Sequence, residues 1–365
     1  MSLKNNITTL FVEFLQIAIG KRESLSETPN SELWMQLFTM AQEQAVLGVC
    51  IEALEKLSVC NQSPPKNILL EWIGTSEVIK KQNTTINQRC VEISNIFTEA
   101  GFEICILKGQ GNAMLYPEPL LRMSGDIDVW VNGSKKDIVD FVLSRYPHVN
   151  TQSSTQHVDF PVFQDVEVEV HYEPTYSLVG RYQKRLDQFI NEKRNAQFSN
   201  KIKSRLFDNY EICLPTTDFN IIHQLSHMMR HFFYGGIGFR HIIDFYYLLL
   251  RCDRINRNDI RAVLSNLGML RFAGAIMWIE RNVLMLDEKY LLVDQDKKRG
   301  ELVLSEIIKT GNFGHYEKRN FKNLKHYSTT LSVIAHNARL IWLFPEEALS
   351  APITGVKRRF FKNYE

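Results

Sequence analysis

No apolar run in this chain approaches the roughly 18 residues that a membrane-crossing helix needs; the longest, residues 272–279, has eight. No membrane role is expected. Apolar positions Leu10, Phe11, Phe14, Leu15 and Ala18 recur at helical spacing near the N-terminus, but Glu13 and Gln16 interrupt them and no small-residue cleavage site follows. That segment reads as a docked amphipathic helix rather than a signal peptide, and the expected location is cytoplasmic. Charge of one sign is also missing: 43 basic and 41 acidic residues leave a formal +2, too balanced for a dedicated nucleic-acid binder. The local basic clusters, Lys193-Arg194 through Lys201-Lys203-Arg205 and Lys357-Arg358-Arg359, read as solvated faces. None of the six cysteines, Cys50, Cys60, Cys90, Cys105, Cys213 and Cys252, stands in a Cys-x-x-Cys pair. They are expected to be reduced core residues. No internal repeat or low-complexity tract interrupts the 365 residues, and 44% hydrophobic content is ample for two or three domains.

What is present is concentrated between residues 102 and 173. Asp126 and Asp128 alternate on a segment that reads as a strand, so both carboxylates project from one face, as holding divalent cations under a phosphate chain requires. A third acid on a neighbouring strand would complete the cage. Asp165, Glu167, Glu169 and Glu173 compete for that role. Alternation puts Asp165, Glu167, Glu169 and His171 on one side and Val166, Val168 and Val170 on the other, so the valines pack inward and the acids face a cleft. Asp165 falls at a turn and Glu173 precedes Pro174, which leaves Glu169, in mid-strand and two residues before His171, as the preferred third acid. Lys108-Gly109-Gln110-Gly111 lies where strand 102–107 turns into a short helix over 112–115, a geometry that aims backbone amides at an anion. Phosphoryl transfer asks the protein mainly for positioning and charge neutralisation, which this residue set can supply.

Leu-Lys-Gly at 107–109, Tyr-Pro-x-Pro at 116–119, Arg122 and Gly-Asp-Ile-Asp-Val at 125–129, in that order, resemble the bacterial family of uncharacterised nucleotidyltransferases within the polymerase-beta-like superfamily. The likeness is strongest over 104–131 and continues, more loosely, through Glu169-Val170-His171. It implies transfer of a nucleoside monophosphate from a nucleoside triphosphate to a hydroxyl on a small molecule or protein, with Mg2+ or Mn2+ as cofactor. Asp126, Asp128 and Glu169 would be the metal ligands and catalytic acids. Lys108, Gly109, Gln110, Arg122 and Gly125 would hold the nucleotide, with Arg122 alternatively pairing with Asp126 or Asp128. Two departures stand out: Gln110 occupies the position of a usual Ser, and Glu169 replaces a usual Asp. They motivate the alternative reading, a nucleotide-binding or partner-binding protein that has lost turnover; a third is a modifier of small molecules such as antibiotics, sugars or peptides.

The expected fold is α+β, a small mixed-sheet nucleotidyltransferase core at 101–205 between helical regions at 1–100 and 206–365. Helices are expected over 45–57 and 67–100, strands over 102–107, 127–131, 158–163 and 166–172, and a helix over 135–145. Gln164-Asp165 would join the last two strands as a tight hairpin. Beyond Pro215, helices are expected from Phe219 and over 260–270, 272–284 and 331–343, the last closed by Phe344-Pro345. His223, His227 and His231 recur every four residues along one helix stripe. Imidazoles at that spacing can share zinc, but no cysteine or acid accompanies them, and the stripe is read as lining the catalytic interface. Paired histidines followed by Arg-x-x-x-Asp, here Arg240 to Asp244, also resemble the family and imply a helical layer beside the cleft.

Overall fold

The structure, a computed structural model, describes residues 6–151, 154–253, 255–317 and 328–360. The side chains of Lys357, Arg358, Arg359 and Phe360, and all of Phe361, lie outside what it describes.

Three helices open the chain, α1 (Asn6–Ala18), α2 (Ser31–Glu43) and α3 (Leu47–Val59). The Asn30 side chain caps α2 by accepting from Leu33 N at 2.9 Å, the usual way to satisfy an orphan amide of the first turn. Leu10, Phe11, Phe14 and Leu15 of α1 are fully buried, as expected of a docked amphipathic helix. After Pro64-Pro65 comes α4 (Lys66–Glu99), which stops at Gly101 in the left-handed region. Its length lets one helix serve two cores. Ile68, Trp72 and Ile79 pack with α1–α3, whereas Ile86, Cys90, Ile93 and Phe97 pack under the sheet.

The sheet side consists of β1 (Glu103–Leu107), the short α5 (Gly109–Ala113), β2 (Ile127–Asn132), α6 (Lys135–Arg145), β3 (His157–Asp159) and β4 (Val168–His171). Strand order is β1-β2-β4-β3, with β2 and β4 parallel and both outer pairs antiparallel, so the sheet is mixed. Helix α6 makes the crossover between the parallel strands, capped by Ser134 accepting from Asp137 N at 3.1 Å. Alternation divides the faces. Ile104, Ile106, Ile127, Val129, Val131, Val168 and Val170 join α4 and α6 in one core, and Cys105, Leu107 and Trp130 join the helices on the other side.

That second side is covered by α7 (Gln183–Ser199) and, after a hairpin of β5 (Lys201–Lys203) and β6 (Glu211–Cys213), by α8 (Thr217–Tyr234). Trp130 stacks on Phe219 at 5.6 Å between centroids and touches Phe198 at 4.8 Å. The rest is helical: α9 (Phe239–Leu249), α10 (Arg257–Asn266), α11 (Leu270–Asn282), α12 (Lys297–Thr310), α13 (Ser328–Leu340) and α14 (Pro345–Phe360). These helices share one apolar core with α1–α3. Among the described residues no helix is long and apolar enough to cross a membrane. The architecture is the expected α+β, a small mixed sheet flanked by helices.

Four local expectations are corrected. The β3–β4 connection is not a two-residue hairpin: pairing ends at Asp159 with Glu169, because Pro161 has no amide to donate to the ladder and Arg89 of α4 draws Asp165 away through bonds of 2.9 and 3.1 Å. The short helix after β1 starts at Gly109 rather than Asn112, because Lys108 and Gly109 both adopt positive φ, 43° and 31°, and turn the chain at once. Pro345 opens α14 instead of merely ending α13, since the first helical position needs no amide donor. Cys60 is exposed, whereas Cys50, Cys90, Cys105 and Cys252 are buried and all are free thiols.

Candidate active site

The site grows out of strand register. Asp128 stands opposite Glu169 across the parallel β2–β4 pair and opposite Leu107 across β1–β2. Paired residues share a sheet face, so Asp128 and Glu169 project together and Lys108, next after Leu107, arrives beside them. Asp126, just before β2, completes a triangle whose carboxylate oxygens lie within 4.8 Å of one another. His157, opposite His171 on β3, adds an imidazole to the same cluster. Glu167 is exposed and does not line the cleft that holds these groups.

Cations and imidazoles manage the buried negative charge. Asp128 is 3% exposed, and its Oδ1 lies 2.8 Å from Lys108 Nζ and 2.9 Å from His171 Nε2. Burial pushes the Asp128 carboxyl up, but Lys108 and His171 outweigh it and hold the group well below the usual carboxylate range. His171 also approaches Glu169 Oε2 at 3.3 Å. Burial alone would lower the His171 imidazole; its bonds to Asp128 and Glu169 raise it instead. Glu169, pushed up by burial, is brought below its ordinary value by the bond to His171. Asp126 is raised, first by the neighbouring Asp128 charge and then by burial. Among the described residues it has no ion-pair partner.

A second polar network locks the loops around this cluster. Asp244 of α9 accepts from Arg122 Nε and a terminal nitrogen at 2.7 Å each, from the Tyr116 hydroxyl at 2.6 Å and from Asn112 at 3.3 Å. Arg122 therefore pairs with neither Asp126 nor Asp128. Its other terminal nitrogen donates to Ser124 Oγ at 3.1 Å, and Ser124 donates to Gln110 Oε1 at 2.6 Å. Gln110 is buried, donates its amide to Asn87 of α4 and does not line the cleft. Asn83, one turn earlier in α4, donates to the carbonyls of Leu120 and Arg122 at 2.7 Å. Lys108, Gly109, Arg122 and Gly125 do line the cleft with the three acids. Sequence reading did not find Asp244 as the partner of Arg122, nor His157; the only signal for Asp244 was its place in the Arg-x-x-x-Asp segment.

The histidine stripe of α8 faces this region. His223 meets the Pro174 carbonyl at 3.1 Å, while His227 and His231 line the cleft together with Arg240 and His241 of α9. The two groups of described residues with metal-ligand spacing are Asp126, Asp128, Glu169 and His157, Glu169, His171; the stripe belongs to neither.

No curated protein sequence matches the chain. Among solved structures, that of an antigenic nucleotidyltransferase-like protein from Paracoccidioides brasiliensis is similar at 10% identity and a TM-score of 0.34, covering 60% of this chain and 97% of that one. A family profile described as uncharacterised nucleotidyltransferase matches residues 30–285, a span that takes in the carboxylate cluster, the loops that frame it and both cleft-lining helices. The chain belongs to this family of uncharacterised nucleotidyltransferases.

Proposed function

We propose that this protein transfers a nucleoside monophosphate from a nucleoside triphosphate to a hydroxyl on a small molecule or protein. The observation that carries the reading is the convergence of Asp126, Asp128 and Glu169, from two adjacent strands, within 4.8 Å in a cleft also lined by Lys108 and Arg122. The donor set fits Mg2+ or Mn2+: three carboxylates offer hard oxygen ligands, and the repulsion that raises the Asp126 carboxyl is relieved by a cation between them. When bound, such cations neutralise charge on phosphate oxygens and polarise the phosphorus.

In the reaction, the acceptor oxygen forms a bond to the α-phosphorus while the bond to the bridging oxygen breaks, and pyrophosphate leaves with that electron pair. Glu169, flanked by His157 and His171, would take the acceptor proton. Lys108 would exchange part of its contact with Asp128 for the triphosphate, and Gly109 and Gly125 leave room for it. Arg122, committed to Asp244 and Ser124, would act mainly by holding the 119–125 loop in place.

Incubating the protein with a divalent cation, each α-labelled triphosphate and a cell extract as acceptor pool tests the reading. Label transferred to a protein or small molecule is expected, and its loss in Asp126→Asn ties it to this site. Nucleotide binding with no transfer to any acceptor would instead favour the alternative, a binding protein on the same fold, which the existing neutralisation of Asp128 by Lys108 and His171 makes worth separating.

A further inference from the structure

The cleft has a second wall, which carries a cation of its own, Arg240. It is built from the C-terminal half of α8 and the start of α9, where His227, His231, Arg240 and His241 face the same space as Asp126, Asp128 and Glu169. One terminal nitrogen of Arg240 donates to the Met123 carbonyl at 3.0 Å, and its Nε is buried with no partner. Asp244, one turn along α9, is spent on Arg122 through both oxygens. Among the described residues Arg240 forms no ion pair. Arg240 is half-buried, and a guanidinium nitrogen buried without a partner favours an anionic group beside it.

The surroundings are arranged to keep that cation aimed inward. Phe313 lies 5.2 Å from the Arg240 guanidinium and within 5.0 Å of the His231 and His241 rings. It sits there in the left-handed region, at φ 54°, a strained state for a bulky residue. The α8–α9 turn makes room: a Cβ on Gly236 would overlap the Thr310 side chain, and one on Gly314 would overlap the Gly235 carbonyl. The His227 and His231 rings are 4.3 Å apart, His227 and His241 5.8 Å apart, and His227 Nδ1 is buried without a partner. Burial, then nearby cations including Lys108, Arg230 and Arg240, keep all three imidazoles well below their ordinary value. A wall with one guanidinium fork and several imidazole nitrogens, whose one carboxylate, Asp244, is taken up by Arg122, suits phosphate oxygens better than a flat base.

We propose that Arg240, with His227, His231 and His241, forms a phosphate-binding wall that takes the terminal phosphates of the triphosphate and holds pyrophosphate as it leaves. The inference rests on the nucleotidyl-transfer reading, yet its test does not need a metal. Inorganic pyrophosphate titrated calorimetrically into the full chain in the presence of a chelator should bind wild type, bind Arg240→Met at least about tenfold more weakly, and bind Glu167→Gln, changed at an exposed position outside the cleft, as wild type. Arg240→Lys should fall between, since it keeps charge and loses the fork. In imidazole-labelled wild-type protein, pyrophosphate should shift the His227, His231 and His241 resonances, a readout independent of whether Arg240→Met folds. Nucleoside triphosphate should compete with pyrophosphate and nucleoside monophosphate should not. Absence of pyrophosphate binding, equal affinity in Arg240→Met, or unmoved histidine signals would overturn the proposal even if metal-dependent nucleotide binding persisted. Simultaneous binding of pyrophosphate and triphosphate would overturn it in favour of a phosphorylated acceptor.

Discussion

Glu167 and Glu169 stand two residues apart, and only Glu169 reaches the cleft. Alternation puts both on the side opposite the valines and does not separate them, since a one-residue slip would carry both acids away together; only the mid-strand place of Glu169, two residues before His171, favoured it. What alternation cannot read is where a strand stops: Glu167 lies just before β4, exposed, while Glu169 is paired inside it. Glu169→Gln should therefore cut nucleotidyl transfer by orders of magnitude with triphosphate binding largely kept, and Glu167→Gln should leave both intact; steady-state rates of the two variants side by side check this. A different carboxyl supplies a pH signature. Glu280 of α11 is fully buried, neither oxygen has a hydrogen-bond partner, and burial raises its carboxyl well above the ordinary range. Because the folded chain keeps this proton after the unfolded chain has lost it, stability falls as pH rises from the ordinary glutamate value toward the raised one, by up to roughly 1.4 kcal/mol per pH unit. Glu280→Gln removes that slope. Melting curves should show the variant level with wild type near pH 4 and increasingly more stable toward pH 8; a gap independent of pH would refute the assignment.

At the scale of elements, α4, α9 and the loop between β1 and β2 are tied by buried polar bonds that sequence reading could not have paired. Tyr116, Arg122 and Asp244 each occur in motifs noticed for other reasons, but Arg122 and Asp244 are 122 residues apart. Their contact follows from the packing of α9 against α5 and not from any local period. The strands of the core were legible because β-branched residues alternate there, whereas β3 is shorter than expected since Pro161 and the Arg89–Asp165 bond lie beyond local pattern. Arg122 and Asp244 are each 4% exposed. Removing one partner leaves the other charge buried and unpaired, so Asp244→Asn or Arg122→Met should each cost about 3–5 kcal/mol by chemical denaturation. The double variant should cost clearly less than their sum. Strict additivity would mean that the network does not hold the loop as described.

Over the whole molecule, a thin sheet is pressed between α4 and α6 on one side and the C-terminal helices on the other, and the cleft opens where β2 and β4 begin, facing α8 and α9. Acids come from the strands and cations from the first turn after β1 and from α9, so the two charge sets meet across the cleft. The central claim is that the strand-borne carboxylates bind nucleotide through a divalent cation, and Asp126 tests it best. Among the described residues its carboxylate makes no ion pair, unlike Asp128, so Asp126→Asn changes the site without removing a buried partner. Magnesium-dependent binding of nucleoside triphosphate, titrated by calorimetry into wild type and Asp126→Asn with their melting temperatures compared, should be abolished in a variant that melts as wild type does. Unchanged affinity in a folded Asp126→Asn protein would contradict the account.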